Sequence, residues 1–432
     1  MEQRSRRRLG YVNADRISEL PEALLVQILS LLPTTKHVIV TSVLSKGWRS
    51  LWKMVPRLVF ASPNQKYEDN VISTSLLSHE APVIESLRLR LVRDARYMGD
   101  IRAWLGIAFA RHVRELVLDV NFRVSFPGSM FCSASSLETL ILKNSIHVDV
   151  PCPVSMKSLK TLHLHDVTYK DDESVRNLLS GCPCLEDLLV YRGYSIHDAK
   201  IFIIVALSLK RLSIYDPCIG RKGGYVINAP CLKYLEIEMI KGCDFCLIDN
   251  SPELVEATIR NVSKIVNETI LRSLKPTKRL SLNLSPLKIN CPTGTIFHKL
   301  VYLEVYAHKV EWWNLLILML DNSPKLQVLK IVDCLPFPNR KTHCLVGKKL
   351  SEQEYVPECL LSQLETFVWK NYDWTSEVKK EVATYILRNA VRLKKAAFSI
   401  YSITVKCSEL EERLQMFKEL VSNSCHFVSK FD

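Results

Sequence analysis

A short phrase, Leu-x-x-Leu-x-Leu, recurs along this 432-residue chain. It reads Leu137-Leu140-Leu142, Leu159-Leu162-Leu164, Leu209-Leu212-Ile214 and Leu232-Leu235-Ile237. It returns as Leu300-Leu303-Val305 and Leu326-Leu329-Ile331. A fixed repeat of this kind gives a stacked solenoid rather than a folded-back globule. Solenoids present long surfaces to partners, so binding is expected before chemistry.

The first positions of the phrase are Ile84, Val113, Leu137, Leu159, Leu185, Leu209, Leu232, Leu254, Thr277, Leu300, Leu326, Leu364 and Leu393. Most are about 22–29 residues apart, the period of leucine-rich repeats. Thr277 and Ala257 are degenerate positions at which the register could slip. A loop around Pro336, Pro338, Asn339 and Lys348 fills the long gap before Leu364. Alternation inside each phrase marks a strand. Helices at Asp172–Ser180 and Trp312–Leu320 precede two of the strands. The expectation is an α/β solenoid, curved, with a parallel sheet on its concave side and helices outside.

Period two then names the open face of that sheet. It carries Lys143, Thr161, His163, His165, Asp187, Leu189, Tyr191, Arg211, Ser213, Tyr215, Tyr234, Glu236 and Glu238, and later Tyr302, Glu304 and Tyr306. Tyrosine and arginine suit protein recognition, although tyrosine is also a good strand former. His163, His165, Tyr191, Arg211, Tyr215 and Tyr234 form the candidate target-binding set.

Composition narrows the classes further. The longest uncharged apolar runs, Ile201–Leu209 and Trp312–Leu320, span nine residues each. A membrane helix needs roughly 20. The start, MEQRSRRRLG, has no apolar signal core, so a cytoplasmic or nuclear protein is expected. The fourteen cysteines sit mostly beside repeat leucines, where they act as small apolar residues. Cys243-Asp-Phe-Cys246 is a lone CxxC, whereas structural zinc takes four ligands, so reduced thiols and no metal are expected. The net charge is +13, and the first sixty residues carry ten Lys/Arg against four Asp/Glu. The Arg4–Arg8 cluster reads as a solvated arm, a nuclear-import signal or a nucleic-acid patch.

Ahead of the repeats, Pro21 and Glu22 suit a helix start. Leu24, Leu25, Ile28, Leu29 and Leu32 follow at helical spacing, up to Pro33. Thr34 or Thr35 can cap a second helix and Ser45 a third, which bears Trp48, Leu51 and Trp52. Three short helices cannot bury all of these side chains. The surplus either docks on a partner or caps the end of the solenoid.

The segment from Asp15 to Val55-Pro56 resembles an F-box. The matching positions include Ile17, Leu20-Pro21, Leu24-Leu25, Ile28-Leu29-Ser30, Leu32-Pro33, Thr41-Ser42, Leu44-Ser45-Lys46, Trp48-Arg49 and Leu51-Trp52. Gly47 stands where the family usually has Arg, and Val38-Ile39 replaces a smaller residue before valine. Near the other end, Pro357, Cys359-Leu360-Leu361-Ser362, Leu364-Glu365, Phe367, Trp369, Tyr385–Ala390, Leu393-Lys394 and Phe398 resemble the FBD module. That module usually has a small residue where Trp374 sits. Within it, strands at Leu364–Trp369 and Leu393–Ile400 flank a helix from Ser376 to Asn389, with its apolar stripe on Val378, Val382, Tyr385 and Ile386. A helix at Ser408–Val421 follows.

The chain is thus similar to plant F-box proteins that carry leucine-rich repeats and an FBD module. The implied organisation is a basic arm at 1–12, the F-box at 13–60, repeats at 61–350, the FBD module at 351–402 and a C-terminal helix and tail at 403–432. The resemblance implies docking on a Skp-type adaptor, and through it on a cullin, within an SCF ubiquitin ligase. Leu20, Pro21, Leu24, Ile28, Leu32, Val43, Leu44, Trp48 and Leu51 carry over to that contact. The solenoid would hold a protein target of unknown identity.

No GxSxG, phosphate-loop or HExxH motif occurs. His163 and His165 share a face without an evident third ligand, so neither catalysis nor a cofactor is expected. The competing reading is a scaffold or nucleic-acid-binding repeat protein using its basic surface. Its mark would be strongly salt-dependent nucleic-acid binding.

Overall fold

The computed structural model describes residues 17–61, 68–92, 98–194, 198–219, 222–240, 242–262, 270–284, 295–307, 312–333, 355–400, 408–422 and 424–431. The Arg4–Arg8 cluster, Asp15 and the loop from Pro336 to Lys348 lie outside them. Fifteen parallel strands, from Arg57–Ala61 to His426–Phe431, follow one another in chain order across a single sheet. This is the concave sheet of the expected solenoid.

Every first position named above is buried, Thr277 included, and so is Ala257. Thr277 replaces a leucine without an orphaned hydroxyl, because Oγ1 donates to the Leu274 carbonyl at 2.7 Å. Its N–H makes the same three-residue turn as Leu137, Leu159, Leu185 and Leu209. The register therefore holds where the sequence left it doubtful.

The residue after a concave strand often turns left-handed, as at Asn144, Asp166, Asn261 and Asn371. Asn and Asp tolerate that region better than other side-chain-bearing residues. The turned N–H then reaches the next strand: Asn144 donates to the His165 carbonyl at 2.7 Å and Asn261 to that of Asn283 at 2.9 Å. This corner locks neighbouring repeats together at the rim of the concave face.

The outer layer is only partly helical. Helices at Glu68–Ser78, Met98–Ala110, Asp172–Ser180 and Trp312–Asp321 back the sheet. Elsewhere two three-stranded sheets do so: Val124–Pro127, Ile146–Asp149 and Thr168–Tyr169, then Ile201–Val205, Gly224–Asn228 and Phe245–Asp249. The run Ile201-Phe-Ile-Ile-Val205 is rich in β-branched residues and favours a strand. Gly224 permits close pairing, because a Cβ there would lie 2.0 Å from the Phe245 carbonyl oxygen.

At the N-terminus three helices, Glu22–Leu29, Thr35–Val40 and Trp48–Leu51, surround their own core of Leu25, Leu29, Val38, Trp48, Leu51 and Val55. Thr34 caps the second helix. The other two boundaries differ from the sequence reading. The first helix stops at Leu29, four residues before Pro33, and Ser30 bonds back to the Val26 carbonyl at 2.7 Å. Gly47, not Ser45, is the residue at which the third helix begins, so the cost of a glycine inside a helix does not arise there.

These helices join the solenoid without a linker. Thr35 Oγ1 accepts from the Val59 N–H at 2.8 Å, which covers the edge of the first strand. The Lys53 carbonyl accepts from Glu80 and Ala81 at 2.9 and 3.2 Å. Buried His79 bonds the Val55 carbonyl through Nε2 at 2.9 Å, and its Nδ1 has no partner. Burial holds the His79 imidazole below its ordinary value, with Arg111 adding to the effect.

A depressed histidine contributes stability that is present above its unfolded pKa, about 6.5, and is lost as pH falls below it. Urea unfolding at about pH 7.5 and about pH 5.5 should therefore show an acid loss in the native chain that is smaller in His79→Gln. Equal losses would remove His79 as the cause.

In the C-terminal module Ser376 caps the helix Glu377–Asn389 and Val382 and Ile386 are buried, as read. The tail adds something the sequence reading missed. After the helix Ser408–Leu420, His426–Phe431 pairs in parallel with Lys395–Ile400 as the fifteenth strand.

Candidate binding surfaces

For their length, the N-terminal helices expose more large apolar side chains than the rest of the described residues. Eight of the 21 exposed large apolar side chains among the described residues lie between Ile17 and Met54. Leu24, Ile28 and Leu31 form one stripe at helical spacing, and Val40, Val43 and Leu44 form another. Leu31 is 83% exposed, Val43 81% and Leu44 64%, on a unit whose own core is already filled.

Of the residues assigned to adaptor contact, Pro21, Leu24, Ile28, Val43 and Leu44 are exposed, and Leu20 and Leu32 are half-buried. Trp48 and Leu51 are not on the surface. Both are buried in the helical core, and the Trp48 indole N–H donates to the Ser18 hydroxyl at 2.8 Å. They support the surface from behind. Ile17, Leu31 and Val40 belong to the exposed set although the sequence reading did not include them.

The six candidate target-binding residues all lie on the concave sheet. Strand register sets His165, Tyr191 and Tyr215 side by side in one row, between Lys143 and Glu238. The Tyr191 and Tyr215 rings stack at 4.5 Å and 7°, and His165 stacks on Tyr191 at 6.2 Å. Burial, with Lys143 and His163 adding to it, holds the His165 imidazole below its ordinary value, which favours the neutral ring. Beyond the next row, His163, Leu189 and Ser213, Asp187 lies between Thr161 and Arg211, 3.6 Å from His163 and 3.0 Å from Arg211. Hydrogen bonding to His163, together with the Arg211 guanidinium, holds its carboxyl below the usual range. Tyr234, next along from Arg211, is exposed.

Two further apolar groups crown this face. Tyr194 is 75% exposed and Ile219 74%, each just beyond the end of a concave strand. The thiol of Cys218 donates to the Tyr194 carbonyl at 3.6 Å. Loops carry no period, so no sequence pattern announces such residues. The result is an aromatic ledge with hydroxyl and imidazole edges, equipped for contact and hydrogen bonding.

The chemistry available here is recognition. His163 and His165 sit 6.3 Å apart, ring to ring. Among the described residues no group of three or more His, Cys, Asp or Glu side chains is placed to hold a metal. Cys243 and Cys246 are buried thiols outside any disulfide, and burial pushes the Cys246 thiol well up. No helix among the described residues is long and apolar enough to cross a membrane.

Three family models match the chain: the F-box domain over residues 17–60, the Leucine Rich Repeat over 158–183 and FBD over 352–398. Full-length relatives are similar throughout. One F-box/FBD/LRR-repeat protein of Arabidopsis thaliana is 53% identical, covering 97% of this chain and 94% of its own. A second from the same plant is 52% identical, over 97% and 95%. A third is 55% identical, over 99% and 96%.

Proposed function

The chain belongs to the F-box/FBD/LRR-repeat family, and from that premise we propose that it is the substrate-recognition subunit of an SCF-type E3 ubiquitin ligase. The N-terminal helices dock on a Skp-type adaptor, and through it on a cullin. The concave face holds a protein target. The chain itself performs no chemistry. It raises the effective concentration of target lysines near a charged conjugating enzyme, which makes a bimolecular encounter intramolecular. It works in the cytoplasm, the nucleus or both.

The observation that carries this reading is the apolar surface from Ile17 to Met54, on helices that already have a core. Burying one large apolar side chain is worth roughly 1.5–3 kcal/mol, so two unpartnered stripes favour association. The seamless joint at Thr35 and Val59 supports the same reading, because it holds the target face in a fixed direction from the adaptor.

Pull-down against a panel of Skp-type adaptors tests it. Capture that requires residues 17–60 supports the proposal, and failure to bind any adaptor removes its basis. A second test addresses the target face. Tyr191→Ala with Tyr215→Ala should lower target recovery under proteasome inhibition by about tenfold or more, the loss expected of paired aromatic anchors. Adaptor binding and melting should stay nearly unchanged, since surface substitutions usually shift stability within about 0.5 kcal/mol. Equal target recovery would place the site elsewhere.

A further inference from the structure

The last three strands of the concave sheet match their charges differently from the strands before them. In the preceding twelve, Arg57 and Lys143 apart, each lysine or arginine on the concave face lies near a carboxylate. Arg88 is 2.7 Å from Glu115, Arg211 3.0 Å from Asp187 and Lys330 2.7 Å from Glu304. Arg90, Arg260 and Arg279 have longer contacts with Asp119, Glu236 and Glu256, at 3.7, 3.9 and 3.7 Å.

The strands Thr366–Lys370, Lys395–Ile400 and His426–Phe431 instead point Lys370, Lys395, His426 and Lys430 outward, with no carboxylate among them. All four are exposed, and none of the three lysines makes an ion pair with another described residue. Adjacent strands lie about 4.8 Å apart, so Lys395 faces His426 directly and Lys370 and Lys430 flank Ser399. Unmatched like charges gathered at one end of a sheet repel one another. A lysine on the final strand is explained as protection of a sheet edge. Lys370 and Lys395 lie on inner strands, where that explanation does not reach.

Between the two basic rows runs a half-buried apolar one, Val368, Ala397 and Val428. We infer that this end of the concave face binds a short acidic protein segment, whose apolar side chains lie on the valine row and whose carboxylates meet the lysines on either side. The outer two strands are about 10 Å apart, which roughly three extended residues span, so a segment of about four to six residues fits. The outward positions of these strands hold no Phe, Tyr or Trp among the described residues to stack on bases, which separates the patch from a single-strand nucleic-acid platform. The patch begins six strands beyond Tyr215 and does not depend on adaptor docking.

The test is fluorescence anisotropy at low salt, on the full chain, with a labelled peptide of alternating Glu and Val. Its controls are the Gln–Val counterpart and a short oligothymidine. The Glu–Val peptide should bind roughly tenfold tighter than the Gln–Val one, and the preference should fade with salt. Lys370→Glu, Lys395→Glu and Lys430→Glu together should reduce Glu–Val binding by about tenfold or more. The corresponding triple Lys→Arg variant should retain it, and Lys143→Glu, on another part of the face, should leave it unchanged. All of these positions are on the surface, where substitution is tolerated by the fold. Equal affinity for the two peptides, or undiminished binding by the triple Glu variant, overturns the inference. So does tighter binding of oligothymidine that is lost in the same variant, which would assign the patch to nucleic acid.

Discussion

Replacing Val43 and Leu44 with aspartate is expected to weaken adaptor binding by roughly a hundred- to several-thousand-fold. Both side chains stand in water on the short helical stretch that continues from Thr35–Val40, and neither belongs to the helical core. A buried hot-spot position costs about 2 kcal/mol or more when truncated. An unpaired carboxylate left in the same place adds a desolvation penalty. Together the pair should cost roughly 3–5 kcal/mol, with each 1.4 kcal/mol worth a factor of ten in Kd. The melting temperature should not fall, because no core contact is lost.

Trp48→Ala provides the contrast. It removes a core side chain together with its hydrogen bond to Ser18, and large-to-small changes of this kind cost about 3–5 kcal/mol of folding stability. It should weaken adaptor binding only by loosening the helices that carry the surface. Titration calorimetry with a purified adaptor, read beside thermal melts, separates the two cases. Unchanged affinity in the double aspartate variant would show that the adaptor lies elsewhere.

Trp48 also shows where reading the sequence stops. The F-box pattern identifies which residues matter but not on which side of a helix each one falls. Helical spacing makes Leu25 and Leu29 equivalent to Leu24 and Ile28, yet the first two are core and the others surface. The choice depends on where the second and third helices lie, which is a tertiary fact. The concave sheet was more legible because its period is two. One register decision at Leu137 fixes inward and outward positions for the whole strand, and parallel pairing passes them to the next repeat. That is why Tyr191 and Tyr215 could be placed together from spacing alone.

The outer layer was less legible. Its strands at Ile201–Val205 and Gly224–Asn228 are held by neighbours one repeat away, and the tail strand His426–Phe431 has only Lys395–Ile400 to specify it. The polar groups that tie these layers together are scattered along the chain. Arg192, Asp198 and Asp216 carry no spacing signal, although they meet in space.

That cluster supports the prediction with the largest effect on folding. The Arg192 side chain is 1% exposed, 2.8 Å from Asp198 and 3.4 Å from Asp216. It also donates to the Ala199 carbonyl and lies 5.5 Å from the centre of the Phe202 ring. The Tyr225 hydroxyl donates to Asp216 at 2.8 Å, and Asp198 accepts from the Tyr169 N–H at 2.9 Å. One guanidinium thus fastens the end of a concave strand to both outer sheets.

Arg192→Met keeps much of the volume but leaves two carboxylates buried without their cation. Breaking such a group costs about 3–5 kcal/mol, because a lone buried charge is not repaid by packing. Adding Asp198→Asn and Asp216→Asn to the same chain should recover part of the loss, since neutral amides carry a smaller desolvation penalty. Solenoid repeats open locally, so the effect is best read by hydrogen exchange, with faster exchange expected across 187–228 and little change beyond 300. Arg192 lies between Tyr191 and Tyr194, so the same loosening should blur the aromatic ledge and weaken target capture while the N-terminal helices still bind an adaptor. Native exchange rates in the single variant, or a triple variant less stable than the single one, would show that the buried charges are not what holds this part of the solenoid together.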